Sequence, residues 1–199
     1  MAPNWFIAFP MQAEGLHLPP APPLRVRVFT SSDRHVTLGF LGPVQELDAR
    51  KAWDRIGEFP SFRPVTGSFS GVEPLGHPRK PSALCAMIAA GREPLGGMIA
   101  EARATLLSTA GAAEDSRAPL PHMTLARIQR RANAAERREA LRWARGIDLR
   151  GATFEARSIA LYTWADDRQD RLFRIVEEQD MGRGGAAGAP DRAMAPGHL

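Results

Sequence analysis

Two tetrapeptides constrain this chain more than any other feature. Residues 35–38 read His35-Val36-Thr37-Leu38, and residues 122–125 read His122-Met123-Thr124-Leu125. Both are His, apolar, Thr, Leu. In a strand, residues i and i+2 share one face and i+1 and i+3 share the other. His35 and Thr37 therefore lie together, while Val36 and Leu38 can enter a core; His122 and Thr124 oppose Met123 and Leu125 in the same way. One such motif in each half predicts a duplicated α+β unit whose two lobes share a cleft.

The pattern around the motifs agrees. Strands are predicted at Asn4–Phe9, Arg25–Phe29, His35–Leu41, Phe62–Val72, Ala83–Ala90, His122–Ile128, Thr153–Trp164 and Arg171–Glu178. Helices are predicted at about Val44–Phe59, Glu93–Thr109 and Ala134–Arg145. Asn133 with Glu136 reads as a capping box for the third helix, and Gly111 and Gly146 as stops. Pro19, Pro20, Pro22 and Pro23 make residues 11–24 an extended loop. Residues 1–180 then form a single bilobal domain. The Gly, Ala, Pro and Arg run of residues 181–199 has no periodicity and reads as a disordered tail.

Composition narrows the class. A chain of 199 residues with 44% hydrophobic and 24% charged residues is globular and large enough for its own core. No apolar run is long enough for a transmembrane helix, and the N-terminus lacks the pattern of a secretory signal. A cytoplasmic protein without membrane association is expected. The single Cys85 excludes an internal disulfide and a multi-cysteine metal site. Lys51 and Lys80 are the only lysines among 26 basic residues, so arginine dominates. Its planar fork suits phosphate oxygens, and Arg117, Arg127, Arg130 and Arg131 surround the second motif.

Two imidazoles across a cleft can move protons at phosphorus. A neutral ring takes a proton from the attacking oxygen, and a protonated one gives a proton to the departing oxygen. Thr37 and Thr124 can donate hydrogen bonds to the non-bridging phosphate oxygens. The expected order is His122 as base and His35 as acid, with no metal and no cofactor. Arg127 lies five residues past His122, the wrong parity for the cleft in a regular strand; Arg130 has the right parity but lies near the strand end. Both are candidate phosphate ligands.

These motifs resemble the signature of the 2H phosphoesterase superfamily, and within it the LigT-like RNA 2′,3′-cyclic phosphodiesterases, also called 2′-5′ RNA ligases. Trp5-Phe6-Ile7-Ala8, Phe40-Leu41-Gly42, Pro121, Ala126-Arg127 and Ala160-Leu161-Tyr162 extend the likeness from Asn4 to about Glu178. The resemblance implies two antiparallel sheets flanking a central cleft, with helices outside. It implies metal-independent hydrolysis of a 2′,3′-cyclic phosphate to a 2′-phosphate, or reversible formation of a 2′-5′ linkage. RNA ends or small cyclic nucleotides are the expected substrates of a monomer. An alternative is a non-catalytic module that binds nucleotides or RNA ends in the same cleft. The Pro-rich stretch stands where such proteins carry a helix, which affects one cleft wall.

Other residues read more plainly. His17, His77 and His198 are surface residues, with His77, Arg79 and Lys80 able to rim the cleft. Cys85 and Trp53 are core residues, and Tyr162 and Trp164 pack in the core or at a sheet edge, where one could instead stack a base.

Overall fold

The computed structural model describes residues 3–182. Among these residues, ten strands form two antiparallel sheets. The first has four strands in the order β10 (Phe173–Asp180), β9 (Ser158–Trp164), β1 (Trp5–Pro10), β4 (His35–Gly42). The second has six, in the order β2 (Gln12–Glu14), β8 (Thr153–Ala156), β5 (Val65–His77), β6 (Lys80–Ile88), β7 (His122–Ile128), β3 (Val26–Val28).

The two lobes are not the two halves of the chain. β3 comes from the first half and edges the second sheet beside β7, while β9 and β10 come from the end and complete the first. The strand predicted over residues 153–164 therefore divides at Arg157, with β8 in one sheet and β9 in the other. A continuous apolar pattern does not report which sheet a strand joins.

Each sheet buries one face in the main core and turns the other toward its partner. In β1, Trp5, Ile7 and Phe9 enter the main core, while Phe6 and Ala8 join Ala160 and Tyr162 in a second cluster. In β7, Met123, Leu125, Ala126 and Ile128 enter the main core. Helix α2 (Arg92–Thr109) packs against β4 and β5, α1 (Glu46–Asp54) against β1 and β9, and α3 (Ala134–Ala144) against β6.

Local signals explain most element ends. Asn133 and Glu136 close the capping box on α3, satisfying amides that a helix start leaves unpaired. Helix α2 ends before Gly111, whose φ of 63° suits a residue without a Cβ. Gly67 interrupts the apolar pattern of β5 because a Cβ there would lie 2.0 Å from the Ala90 carbonyl oxygen. The first helix is shorter than its pattern: it tightens into a 3₁₀ turn over Arg55–Glu58. Leu47 is exposed, and Ala49 and Ala52 make the buried stripe instead.

The Pro-rich segment crosses from β2 at one edge of the six-stranded sheet to β3 at the other. It holds no helix, as expected, but residues 12–14 of the predicted loop are strand β2, and the chain bends at Ala21, whose φ is 49°. His17 exchanges backbone hydrogen bonds with Asp148, and Pro19 lies against Gly146 at the end of α3. The segment thus packs on the side of α3. Met181 is buried, and its N–H donates to the Arg157 carbonyl. The rest of the expected tail, residues 183–199 with His198, lies outside the described residues.

Candidate active site

The first motif lies on β4, the edge strand of its sheet, and the second on β7. Val36, Leu38, Met123 and Leu125 are fully buried, as the alternation requires. His35, Thr37 and His122 keep partial exposure on the opposite face, and Thr124 is buried there. β4 and β7 approach each other, and a charge on His122 lowers the His35 pKa.

Both histidines are held alike. His35 Nδ1 donates to the carbonyl of Asp33 at 2.7 Å, and His122 Nδ1 donates to the carbonyl of Leu120 at 2.6 Å. A carbonyl can only accept, so Nδ1 carries the proton in each ring. Nε2 is left as the unprotonated nitrogen of both neutral rings. Each carbonyl belongs to the residue two before its histidine.

The strands also break register at the same motif position. Along β4, Thr37 pairs with Ala8 and Gly39 with Ile7, so Leu38 has no partner. Along β7, Thr124 pairs with Cys85 and Ala126 with Leu84, so Leu125 has none. An extra residue in one strand of an antiparallel pair is a β-bulge, and it re-aims the side chains beyond it. The bulge at Leu125 returns Arg127 to the face of His122 and Thr124. This corrects the parity expected of a regular strand. From that face the positive charge of Arg127 lowers the pKa of both histidines. Arg130 lies past the end of β7, and its carbonyl accepts from Arg137; among the described residues no contact joins its side chain to either histidine.

The bulge at Leu38 does the same on β4. It places Phe40 opposite Phe6, on the face of His35 and Thr37. Phe40 is 56% exposed. In the sequence Phe40 stands only within the Phe40-Leu41-Gly42 run; the signal for it is that the two His-x-Thr-Leu copies have equal offsets to Phe40 and Arg127.

The ring environments differ. His35 packs among Phe6 (4.8 Å between centroids), Tyr162 (5.4 Å) and Phe173 (5.5 Å, edge-on). Burial among these rings disfavours its charged form and lowers its pKa to about 4. His122 is also lowered by burial, with the Leu120 carbonyl opposing and Arg127 assisting. Tyr162 is buried and stacked on Phe6 at 4.9 Å, so it belongs to the wall of the site, and burial raises its pKa. Trp164 is half-buried, with the Arg168 guanidinium 4.6 Å above its ring. Cys85 is buried beside Thr124, Sγ to Oγ1 3.6 Å, and burial keeps it a thiol. Trp53 packs partly buried against the main core. His77 and Arg79 sit at the tip of the β5–β6 hairpin, with Lys80 opposite His77 in the ladder.

Asp33 was not foreseen. Its carboxylate is buried at 1% exposure and accepts from the N–H groups of Leu172 (2.9 Å) and Phe173 (3.1 Å) and from the Thr30 hydroxyl (3.1 Å). It ties the end of the β9–β10 loop to the turn whose carbonyl orients His35. An aspartate in a turn is ordinary, so its sequence carried no signal.

No protein-family model and no curated protein matches the sequence. Solved structures do match the fold. LigT from E. coli, complexed with 3′-AMP, aligns over 90% of this chain and 98% of its own, with a TM-score of 0.61 and 15% identity. TT0787 of Thermus thermophilus aligns over 92% and 100%, with a TM-score of 0.62 and 18% identity. This chain has the LigT fold. A structure described as a phosphoesterase agrees, at a TM-score of 0.60 and 15% identity over 90% of this chain and 98% of its own. As expected, the LigT fold here is an α+β arrangement of two antiparallel sheets, and the two motif strands are its β4 and β7. Among the described residues no helix is long and apolar enough to cross a membrane.

Proposed function

We propose that the chain is a 2H phosphoesterase that hydrolyses a 2′,3′-cyclic phosphate at an RNA end or on a small nucleotide. One observation carries this reading: two histidines on facing strands have Nδ1 pinned to equivalent carbonyls, and one arginine charge bears on both. A single anionic phosphorus between the rings would use all of these groups. That LigT has been solved with 3′-AMP, and also with NADP+, is consistent with a nucleotide ligand.

In this mechanism Thr37, Thr124 and Arg127 hold the non-bridging oxygens. Water attacks phosphorus and gives its proton to Nε2 of His122. The P–O3′ bond breaks, and His35 delivers a proton to O3′. The products are a 2′-phosphate and a free 3′-hydroxyl. His122 takes the base role because it is the more open ring, which water can reach; His35 lies deeper among aromatic rings. Burial disfavours a proton on His35, and a bound anion restores it by pairing with the imidazolium. Phe40 and Arg127 stand at equivalent places on opposite arms, so the base of the reacting nucleotide lies against the Phe40 ring. When a 5′-hydroxyl attacks the same phosphorus in place of water, the P–O3′ bond breaks in the same way and the product is a 2′-5′ linkage.

The chemistry rests on protein groups alone. Incubating the chain with a 2′,3′-cyclic nucleotide in EDTA should yield the 2′-monophosphate and no 3′-monophosphate. Tight binding without turnover would instead favour the non-catalytic module.

A further inference from the structure

Strand β3 brings a second cation to the reaction face. Arg27 stands directly opposite Arg127 in the β3–β7 ladder, and the flanking Val26 and Val28 pack into the main core. Arg27 therefore shares the face of Arg127. Like charges directly opposite each other destabilise a ladder. Some other arginines are neutralised by carboxylates: Arg25 by Glu136, Arg50 by Glu46 and Glu177, Arg117 by Asp115, Arg150 by Asp148. Among the described residues neither Arg27 nor Arg127 makes an ion pair. The Nη2 of Arg27 donates to the carbonyls of Arg168 and Gln169 in the β9–β10 loop. Those carbonyls orient the guanidinium without cancelling its charge.

Two adjacent uncompensated guanidinium groups exceed what one cyclic phosphate, with a single negative charge, can neutralise. Arg127 bears on both histidines; Arg27 is not among the charges that shift either one. It is carried one strand away, about 4.8 Å further out. A cyclic phosphate is by its chemistry the 3′ end of a nucleotide, so any neighbouring phosphate must hang from O5′.

We propose that Arg27 forms a second phosphate subsite, which holds a phosphate on the 5′ oxygen of the reacting nucleotide while Arg127 serves the phosphorus under attack. This deepens the phosphodiesterase reading and rests on it. The subsite favours an RNA end, or a 5′-phosphorylated nucleotide, over a bare cyclic nucleoside phosphate. The two sources share one chemistry and differ in whether the 5′ phosphate is a diester or a terminal monoester.

The test compares three substrates with the full chain: a nucleoside 2′,3′-cyclic phosphate, its 5′-phosphorylated form, and a dinucleotide ending in the cyclic phosphate. In parallel, binding of the nucleoside 2′-phosphate and the 2′,5′-bisphosphate reads the subsite without turnover. The wild type should favour the 5′-phosphorylated member of each comparison by about tenfold. Arg27→Gln should bring that ratio close to one and reduce the salt dependence of bisphosphate binding by about one charge. Arg27→Lys, which keeps the charge, should retain part of the preference. An equal loss on all substrates in Arg27→Gln would mean that Arg27 only holds the loop, and would overturn the proposal. So would a preference for the dinucleotide alone that survives Arg27→Gln, which would indicate a base contact. Absent turnover with the bisphosphate preference intact would remove the phosphodiesterase reading and leave the subsite standing.

Discussion

Strands β4 and β7 carry the same motif, the same bulge at its leucine, and the same carbonyl two residues before the histidine. Their immediate neighbours differ. β4 is a sheet edge, and its histidine is enclosed by Phe6, Tyr162 and Phe173. β7 has a neighbour on each side, and its reaction face carries Cys85, Arg127 and Arg27. The fifth residue after each histidine states the difference: Phe40 on one arm, Arg127 on the other. In the proposed reading, a near-symmetric scaffold offers an apolar wall to a base and a cationic wall to phosphate. The duplicated part is the anchoring of the two imidazoles, and the divergent part is what surrounds them.

If the arms are equivalent in chemistry, either histidine should be indispensable. His35→Ala and His122→Ala should each lower kcat/KM by about 10²–10⁴-fold. The double variant should be little worse than the poorer single one, since half of the relay does no work. Strict additivity, measured on the cyclic nucleotide, would break the paired reading. To separate the roles, a substrate with a very good leaving group should rescue the acid variant, His35→Ala, and not His122→Ala.

The difference in burial should appear in stability. His35 is held at about 4 against an unfolded value near 6.5. The unfolded chain then binds the proton first as pH falls. The contribution of neutral His35 is complete above pH 6.5 and is lost progressively down to pH 4, by up to about 3 kcal/mol. His35→Phe keeps a ring in the aromatic cluster and removes the titration. It should be inactive yet lose less Tm between pH 7 and pH 4.5 than the wild type. An identical acid profile would show that His35 is not the group that titrates.

How much of this was legible depended on its range in sequence. The motif faces, the capping box of Asn133 and the stop at Gly111 follow from local rules, and the structure has them. Arg127 could be named but not placed, because one unpaired residue at Leu125 inverts every parity after it. A bulge is decided by the partner strand. Asp33 and the exchange of β3, β9 and β10 between lobes depend on contacts about a hundred residues apart or more, which no local pattern encodes.

Arg127 is where the cationic arm acts on both histidines. Its positive charge disfavours both imidazolium forms. The free site should therefore show a bell-shaped kcat/KM profile with its maximum below pH 6.5. Arg127→Gln should lower that maximum about tenfold through lost phosphate binding and move both limbs to higher pH. Lower activity with an unmoved profile would place Arg127 away from the rings.

The smallest effect belongs to the apolar arm. Phe40 is exposed on the reaction face and packs no core, so Phe40→Ala should leave Tm within about a degree, as surface changes usually do. Losing one stacked base costs about 1 kcal/mol or somewhat more, a KM rise of roughly fivefold with kcat nearly unchanged. Phe40→Trp should restore or tighten binding, because stacking needs only a flat apolar surface. The effect must also depend on the ligand: inorganic phosphate, which has no base, should inhibit the wild type and Phe40→Ala equally. Weaker phosphate inhibition in Phe40→Ala would mean the ring shapes the phosphate site itself, and the division of labour between the two arms would fail.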